Sequence, residues 1–185
     1  KSLPVMHRPL PAAPVTGAFS AATAPWVIAA IDEAAELCFS GTASAMVTCP
    51  IQKEALYAAG FAHQGHTDYL AHLARRRGAE AVDVMMLVGG GLRAIPVTVH
   101  IALKDVPNAL TGEAIERQAK VVHRALQHQF GISSPRLAVT GLNPHAGENG
   151  SMGREEIDII IPAINRLRSE GFSVRGPLPA DTAFF

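Results

Sequence analysis

The feature that most constrains this chain is its alternation between short apolar runs and longer stretches with helical spacing. Runs near 82–88, 95–100 and 136–140 are rich in Val, Ile, Leu and Met. A strand covered on both faces needs apolar side chains at successive positions, so such runs read as strands of a buried sheet. Elsewhere the apolar residues recur every three or four positions. Trp26, Val27, Ile31, Ala34, Ala35 and Leu37 form such a stripe from Thr23 to a stop at Ser40-Gly41, and a short run at 45–48 follows. Helices are also expected at about 53–59 and about 67–77, from Thr111 through Ile115, Val122, Leu126 and Phe130 to Gly131, and over 153–170. Strands separated by helices specify an α/β fold, with a mixed or mostly parallel sheet flanked by helices.

A length of 185 residues suits one domain. Five of the 13 prolines fall at positions 4, 9, 11, 14 and 25, which favours extended or turning chain. Residues 1–22 are therefore expected to form an extended connector, with the α/β region spanning 23–185. At 48% hydrophobic and 17% charged, the composition excludes a disordered or coiled-coil chain. The 16 basic and 16 acidic residues cancel, and no basic block exceeds Arg75-Arg76-Arg77, so a nucleic-acid partner is not expected. Cys38 and Cys49 lack CxxC spacing, which argues against a disulfide framework or thiolate zinc site and fits a reducing cytoplasm. No export signal or membrane span is expected, because the apolar runs are short and no basic segment precedes a long one.

Chemistry-bearing residues cluster in five places. His100 ends the run 95–100, and His145 follows the run 137–142, so both are expected at strand C-terminal ends, where open α/β sheets bind ligands. His145 lies within Gly141-Leu142-Asn143-Pro144-His145-Ala146-Gly147-Glu148, a turn able to supply a metal ligand with groups that orient it, or an ordinary capped loop. Glu155 and Glu156 open the next helix and read as dipole stabilisers. Gly65-His66-Thr67-Asp68 can hold an anion at a helix start, or Thr67 can simply cap that helix. Lys53, where the run 45–48 gives way to a helix, suits a phosphate or carboxylate partner, or solvent. Asp181 stands at the end of Gly176-Pro177-Leu178-Pro179-Ala180, which can aim a carboxylate into a cleft or make a turn. Neither of the glycine clusters, Gly89-Gly90-Gly91 and Gly147 to Gly153, follows the GxGxxG pattern at a strand-to-helix turn, so a Rossmann fingerprint is absent.

Taken in order, these stretches resemble the 4-hydroxythreonine-4-phosphate dehydrogenase family. The longest matching block is GLNPHAGENGSMGREEIDIIIPAINRLRSEGFSVRGPLPADTAFF, residues 141–185. Supporting stretches are TCPIQKEALYAAGF from Thr48, GHTDYLAHLA from Gly65 and MMLVGGGLRAIPVTVHIALKDVP from Met85. The resemblance implies the isocitrate/isopropylmalate dehydrogenase-like fold and a site in which His100 and His145 are metal ligands. It also implies that His66 and Thr67 contact a phosphorylated substrate, and that Asp181 and Lys53 serve catalysis. The implied reaction is NAD-dependent oxidation and decarboxylation of 4-hydroxy-L-threonine 4-phosphate to 3-amino-2-oxopropyl phosphate in vitamin B6 synthesis. A divalent ion (zinc, magnesium or cobalt) would lower the pKa of the hydroxyl and stabilise the enolate.

The resemblance further implies a cytoplasmic homodimer with the active site at its interface. The third metal histidine and the cofactor region are expected beyond residue 185, so the chain by itself is expected to be inactive. Two rival functions are a related dehydrogenase of phosphorylated four-carbon sugar acids and a non-catalytic binding module.

Overall fold

The structure, a computed structural model, describes residues 5–10, 13, 15–18 and 20–184. The expected connector 1–22 therefore lies partly outside the described residues, including Pro4, Pro11 and Pro14. The chain divides into two compact units, Lys1–Asp83 and Val84–Phe185. Among the described residues no helix is long and apolar enough to cross a membrane. Cys38 and Cys49 are both free.

The first unit is helical. Ser20 caps a short 3-10 turn through its hydroxyl, and α1 (Ala24–Phe39) follows with Pro25 in its first turn, where a missing N–H is harmless. The helices α2 (Lys53–Ala58) and α3 (His66–Arg76) complete the unit. Their apolar faces meet in a core of Ala24, Ile31, Leu56, Phe61 and Tyr69. Burying a side chain such as Leu56, 2% exposed, contributes about 1.5–3 kcal/mol. The hydroxyl of Tyr69 donates to Asp32 at 2.5 Å. Burial and that carboxylate push the phenol up to about 12, so it stays a donor at any physiological pH. The short apolar run at 45–48 forms no strand. Val47 is 97% exposed, and no described strand in this unit is available to pair its backbone.

The second unit opens with a hairpin of β1 (Leu87–Gly89) and β2 (Leu92–Ala94), paired antiparallel. Expected strands at 82–88 and 95–100 are thereby corrected. Gly90 and Gly91 have φ of 55° and 82°, which a tight hairpin turn requires, so the end of the first expected run pairs with residues 92–94, just before the second expected run, which forms no strand. Pro96 cannot donate to a ladder, and β2 stops before it. His100 consequently lies in a bend rather than at the end of a strand.

After a short 3-10 turn and α4 (Val106–Ala109), α5 (Gly112–His128) begins at Thr111, whose hydroxyl accepts the Ala114 N–H at 3.1 Å. Such caps contribute about 1 kcal/mol. Next come β3 (Leu137–Thr140), a π turn (Glu156–Ile160), α6 (Ile161–Ser169) and β4 (Val174–Leu178). The expected helix 153–170 is thus two pieces. Pro162 lacks the N–H that would bond back to residue 158, and there the π turn gives way to α6. β3 and β4 pair in parallel, Leu137 opposite Val174 and Thr140 opposite Leu178. Their crossover packs Ile160, Ala163, Ile164 and Leu167 against Leu110, Ile115 and Val174. The α/β class holds, but the described strands form two small sheets, one antiparallel and one parallel, in place of the single broad sheet expected.

Candidate functional site

In a parallel pair both C-terminal ends point the same way, so the loops after β3 and β4 emerge side by side. The Gly141 N–H donates to the Leu178 carbonyl at 2.8 Å, and the Asp181 N–H reaches the Pro144 carbonyl at 3.4 Å. This pairing brings His145 and Asp181, separate motifs in the sequence, to one place. His145 Nε2 lies 3.6 Å from Asp181 Oδ2, and its Nδ1 lies 3.0 Å from Glu148 Oε1. The Asn143 side chain fixes the loop from within: its Oδ1 accepts the His145 N–H at 3.0 Å and its Nδ2 donates to the Met152 carbonyl at 3.3 Å.

The next residues are unusual. Ala146, Gly147, Glu148 and Asn149 have φ of 52°, 72°, 42° and 56°, a left-handed turn that costs about 1–2 kcal/mol at each residue other than glycine. Strain of this kind persists where the surroundings over-determine it and concentrates at ligand sites. The turn brings the Glu148 carboxylate back onto His145. The hydrogen bond that the ring donates to Glu148 and, second, the charge of Asp181 hold the imidazole above its ordinary pKa of 6.5, against a smaller opposing effect of desolvation.

The arrangement fits a divalent cation in kind. With Nδ1–H given to Glu148, the Nε2 lone pair faces the Asp181 carboxylate at a distance longer than a hydrogen bond, and a cation or proton between them would satisfy both. It does not fit in number. Catalytic zinc sites normally use three protein ligands, and among the described residues no group of three His, Cys, Asp or Glu side chains is placed to hold one ion. His100 is exposed, with φ of 57°, and does not complete a three-donor set with His145 and Asp181.

In the first unit, the structure gathers Lys53, Gly65, His66 and Thr67. The N-cap of α3 is Gly65, with no side-chain cap bond, so Thr67 sits inside the first turn and the capping role weighed for it is not the one it has. A β-carbon on Gly65 would lie 4.0 Å from Lys53 Nζ. An ammonium therefore stands beside uncapped N–H groups at a helix start, a combination that favours an anion. Asp68 is held by the residues just before the helix. It accepts from the Gln64 N–H and pairs with His63 Nδ1, both at 3.1 Å. Burial raises its pKa, but these two partners outweigh it and hold the carboxyl below its ordinary value.

Sequence reasoning missed the His63–Asp68 pair and the placement of Glu156. Rather than stabilising a helix dipole at the surface, Glu156 is 2% exposed beneath the His145 loop. Its position four residues before buried Ile160, on the same helical stripe, was the available signal.

Known proteins resemble the chain along its whole length. A 4-hydroxythreonine-4-phosphate dehydrogenase of Methylorubrum populi is 49% identical over 100% of the chain and 54% of that protein. One from Pseudomonas syringae pv. tomato is 48% identical over 99% of the chain and 54% of that protein. The chain thus spans about half the length of the curated relatives it matches. Among solved structures, the Klebsiella pneumoniae enzyme of the same name is 40% identical with a TM-score of 0.79, covering 89% of the chain and 48% of that structure. A terephthalate 1,2-cis-dihydrodiol dehydrogenase from Burkholderia xenovorans is 33% identical with a TM-score of 0.65, covering 90% and 52%. The model of one family, pyridoxal phosphate biosynthetic protein PdxA, matches residues 1–185, and the chain belongs to that family.

Proposed function

We propose that the chain forms part of an oxidoreductase that oxidises and decarboxylates 4-hydroxy-L-threonine 4-phosphate to 3-amino-2-oxopropyl phosphate. The observation that carries this reading is His145 held between Glu148 and Asp181, in a chain that the PdxA model matches throughout. In this reading His145 and His100 would each offer a donor to a divalent ion (zinc, magnesium or cobalt), with a further donor from outside the described residues completing the set. The ion, when bound, supplies positive charge where negative charge develops on the substrate.

The chain's own residues then bind, orient and move protons. Lys53, His66 and Thr67 grip the substrate phosphate at the start of α3, where a lysine charge and free backbone donors coincide. The Lys53 amine is therefore better suited to charge balance than to proton transfer. Glu148 keeps the His145 ring in one orientation and one tautomer. Asp181, exposed beside Nε2, accepts the proton of the substrate hydroxyl. NAD is the oxidant this reading requires. The glycines at 89–91 lie in the β1–β2 hairpin, and Gly141, Gly147, Gly150 and Gly153 in the loop from β3 to the next helix do not follow GxGxxG spacing, so no step of NAD binding is assigned to the described residues.

The isocitrate/isopropylmalate dehydrogenase-like fold, a homodimer with the site at its interface and a cytoplasmic location belong to the same reading. Its rival is a related dehydrogenase acting on another substrate, such as a phosphorylated four-carbon sugar acid. The likeness to the terephthalate dihydrodiol enzyme favours keeping it, because that structure shares the architecture under a different substrate name. Comparing kcat/KM for the two phosphorylated substrates on the full-length protein separates them: the amino acid phosphate should be preferred by at least tenfold, and preference for the sugar acid would overturn the first reading.

A further inference from the structure

Glu156 is, among the described residues, the buried carboxylate, and the proposed reaction does not use it. It is 2% exposed. Its Oε1 accepts the Asn143 N–H at 3.0 Å, and its Oε2 has no hydrogen-bond partner. We infer that Glu156 is a positioning residue, a buried strut that holds the loop 141–153 in its left-handed turn and thereby sets His145 toward Asp181. The inference rests on the proposed role of His145.

Three observations carry it. First, the loop is shaped around the carboxylate: a β-carbon on Gly141 would lie 2.8 Å from Oε1, and one on Gly147 would lie 2.5 Å from Oε2. Both glycines leave the space that the carboxylate fills. Second, the Glu156 bond is the first link of a chain to the ligand. Asn143, fixed through its N–H by Glu156, in turn fixes the His145 N–H and the Met152 carbonyl with its side chain. Asn143 therefore transmits Glu156's position to both ends of the strained turn.

Third, packing alone would not select a carboxylate here. Glu156 occupies the stripe of Ile160 and Ile164, both buried in the core, and an oxygen without a partner in such surroundings destabilises the fold relative to an apolar side chain. At a position where packing would be served by an isoleucine, the contribution of the carboxylate is what it orients. Strained segments of this sort need an anchor, and the described structure shows no other carboxylate bonded to an amide of the loop backbone.

The test uses the full-length protein with Glu156→Gln and Glu156→Leu. Gln keeps an acceptor for the Asn143 N–H, while Leu fills similar volume and removes it. Measured are thermal melting, hydrogen exchange at the Asn143 and His145 amides, cobalt binding by its visible absorbance, and kcat and KM. For Glu156→Leu the melting temperature should hold or rise. Exchange at those two amides should speed up about tenfold or more, and cobalt affinity and kcat should fall about tenfold or more, the scale of one lost charged hydrogen bond. KM should change less than about twofold, because phosphate binding is untouched. Gln should recover most of each loss. Unchanged exchange and cobalt affinity in the Leu variant would overturn the inference, as would a loss of protection spread evenly over the second unit together with a lower melting temperature. If the wild-type protein shows no dehydrogenase activity, the proposed function fails, and exchange with cobalt binding still decides the role of Glu156.

Discussion

Replacing Gly147 with alanine tests the geometry beneath His145 in a quantitative way. Gly147 has φ of 72°, where an L side chain costs about 1–2 kcal/mol. Its new β-carbon would also meet Glu156 Oε2 at 2.5 Å, Glu156 Cδ at 3.2 Å and the Gly153 carbonyl at 3.3 Å. That carboxylate is enclosed and cannot swing into solvent, so the turn or the π turn must shift, an overpacking cost of about 1–3 kcal/mol. The two parts sum to about 2–5 kcal/mol. Gly131 provides the control. Its φ is 68°, but no atom lies within 4 Å of its would-be β-carbon, so Gly131→Ala should show the conformational part alone. Urea denaturation of both variants, read alongside kcat, separates the parts. Gly147→Ala should cost at least about 1 kcal/mol more than Gly131→Ala and should lower kcat, while Gly131→Ala leaves kcat unchanged. Equal destabilisation with normal turnover would show that Glu156 does not sit under the turn.

Thr67→Val keeps the shape at the start of α3 and removes a hydroxyl donor; KM for the phosphorylated substrate should rise roughly tenfold or more, since a hydrogen bond to a charged group is worth about 1.5–3 kcal/mol. An unchanged KM would remove Thr67 from the phosphate site. Asp181→Ala should lower kcat far more than it lowers the melting temperature, because the side chain is exposed and outside the core; the reverse pattern in melts and rates would refute its catalytic role. NMR titration should find His145 above 6.5 and falling toward it in Glu148→Gln, the Glu148 bond being the larger cause. The sign follows from a folded pKa raised above the unfolded one: the protonated ring favours the folded state below 6.5, and this is lost as pH rises through the folded value. Metal binding runs oppositely, since the cation needs the neutral ring, so its affinity should fall with decreasing pH beginning above 6.5.

Helices were the legible part of the fold because their signal is local. The stripe Ile115, Val122, Leu126 with Thr111 as cap lies within one segment, and the helix formed there. Strand pairing is non-local. Nothing in the run 95–100 shows that Gly90 and Gly91 will fold β1 onto β2 and leave His100 in a bend, nor does 45–48 reveal that Val47 lacks a neighbour. At the site, the loop residues Asn143, His145 and Glu148 are close in sequence and could be read together. His145 and Asp181 meet only because β3 and β4 pair in parallel, a relation that the two motifs do not carry separately. Glu156 was misread for a similar reason: an acid at a helix start looks like a dipole partner until the loop folds over it.

The most direct measurement of the central claim is NADH formation by the full-length protein supplied with 4-hydroxy-L-threonine 4-phosphate, NAD and a divalent ion, with released carbon dioxide followed in parallel. The account predicts that NADH and carbon dioxide appear in equal amounts, that chelation abolishes both, and that His145→Ala does the same while leaving the melting temperature near that of the wild type. Absence of NADH with this substrate, or turnover undiminished by His145→Ala, would contradict it.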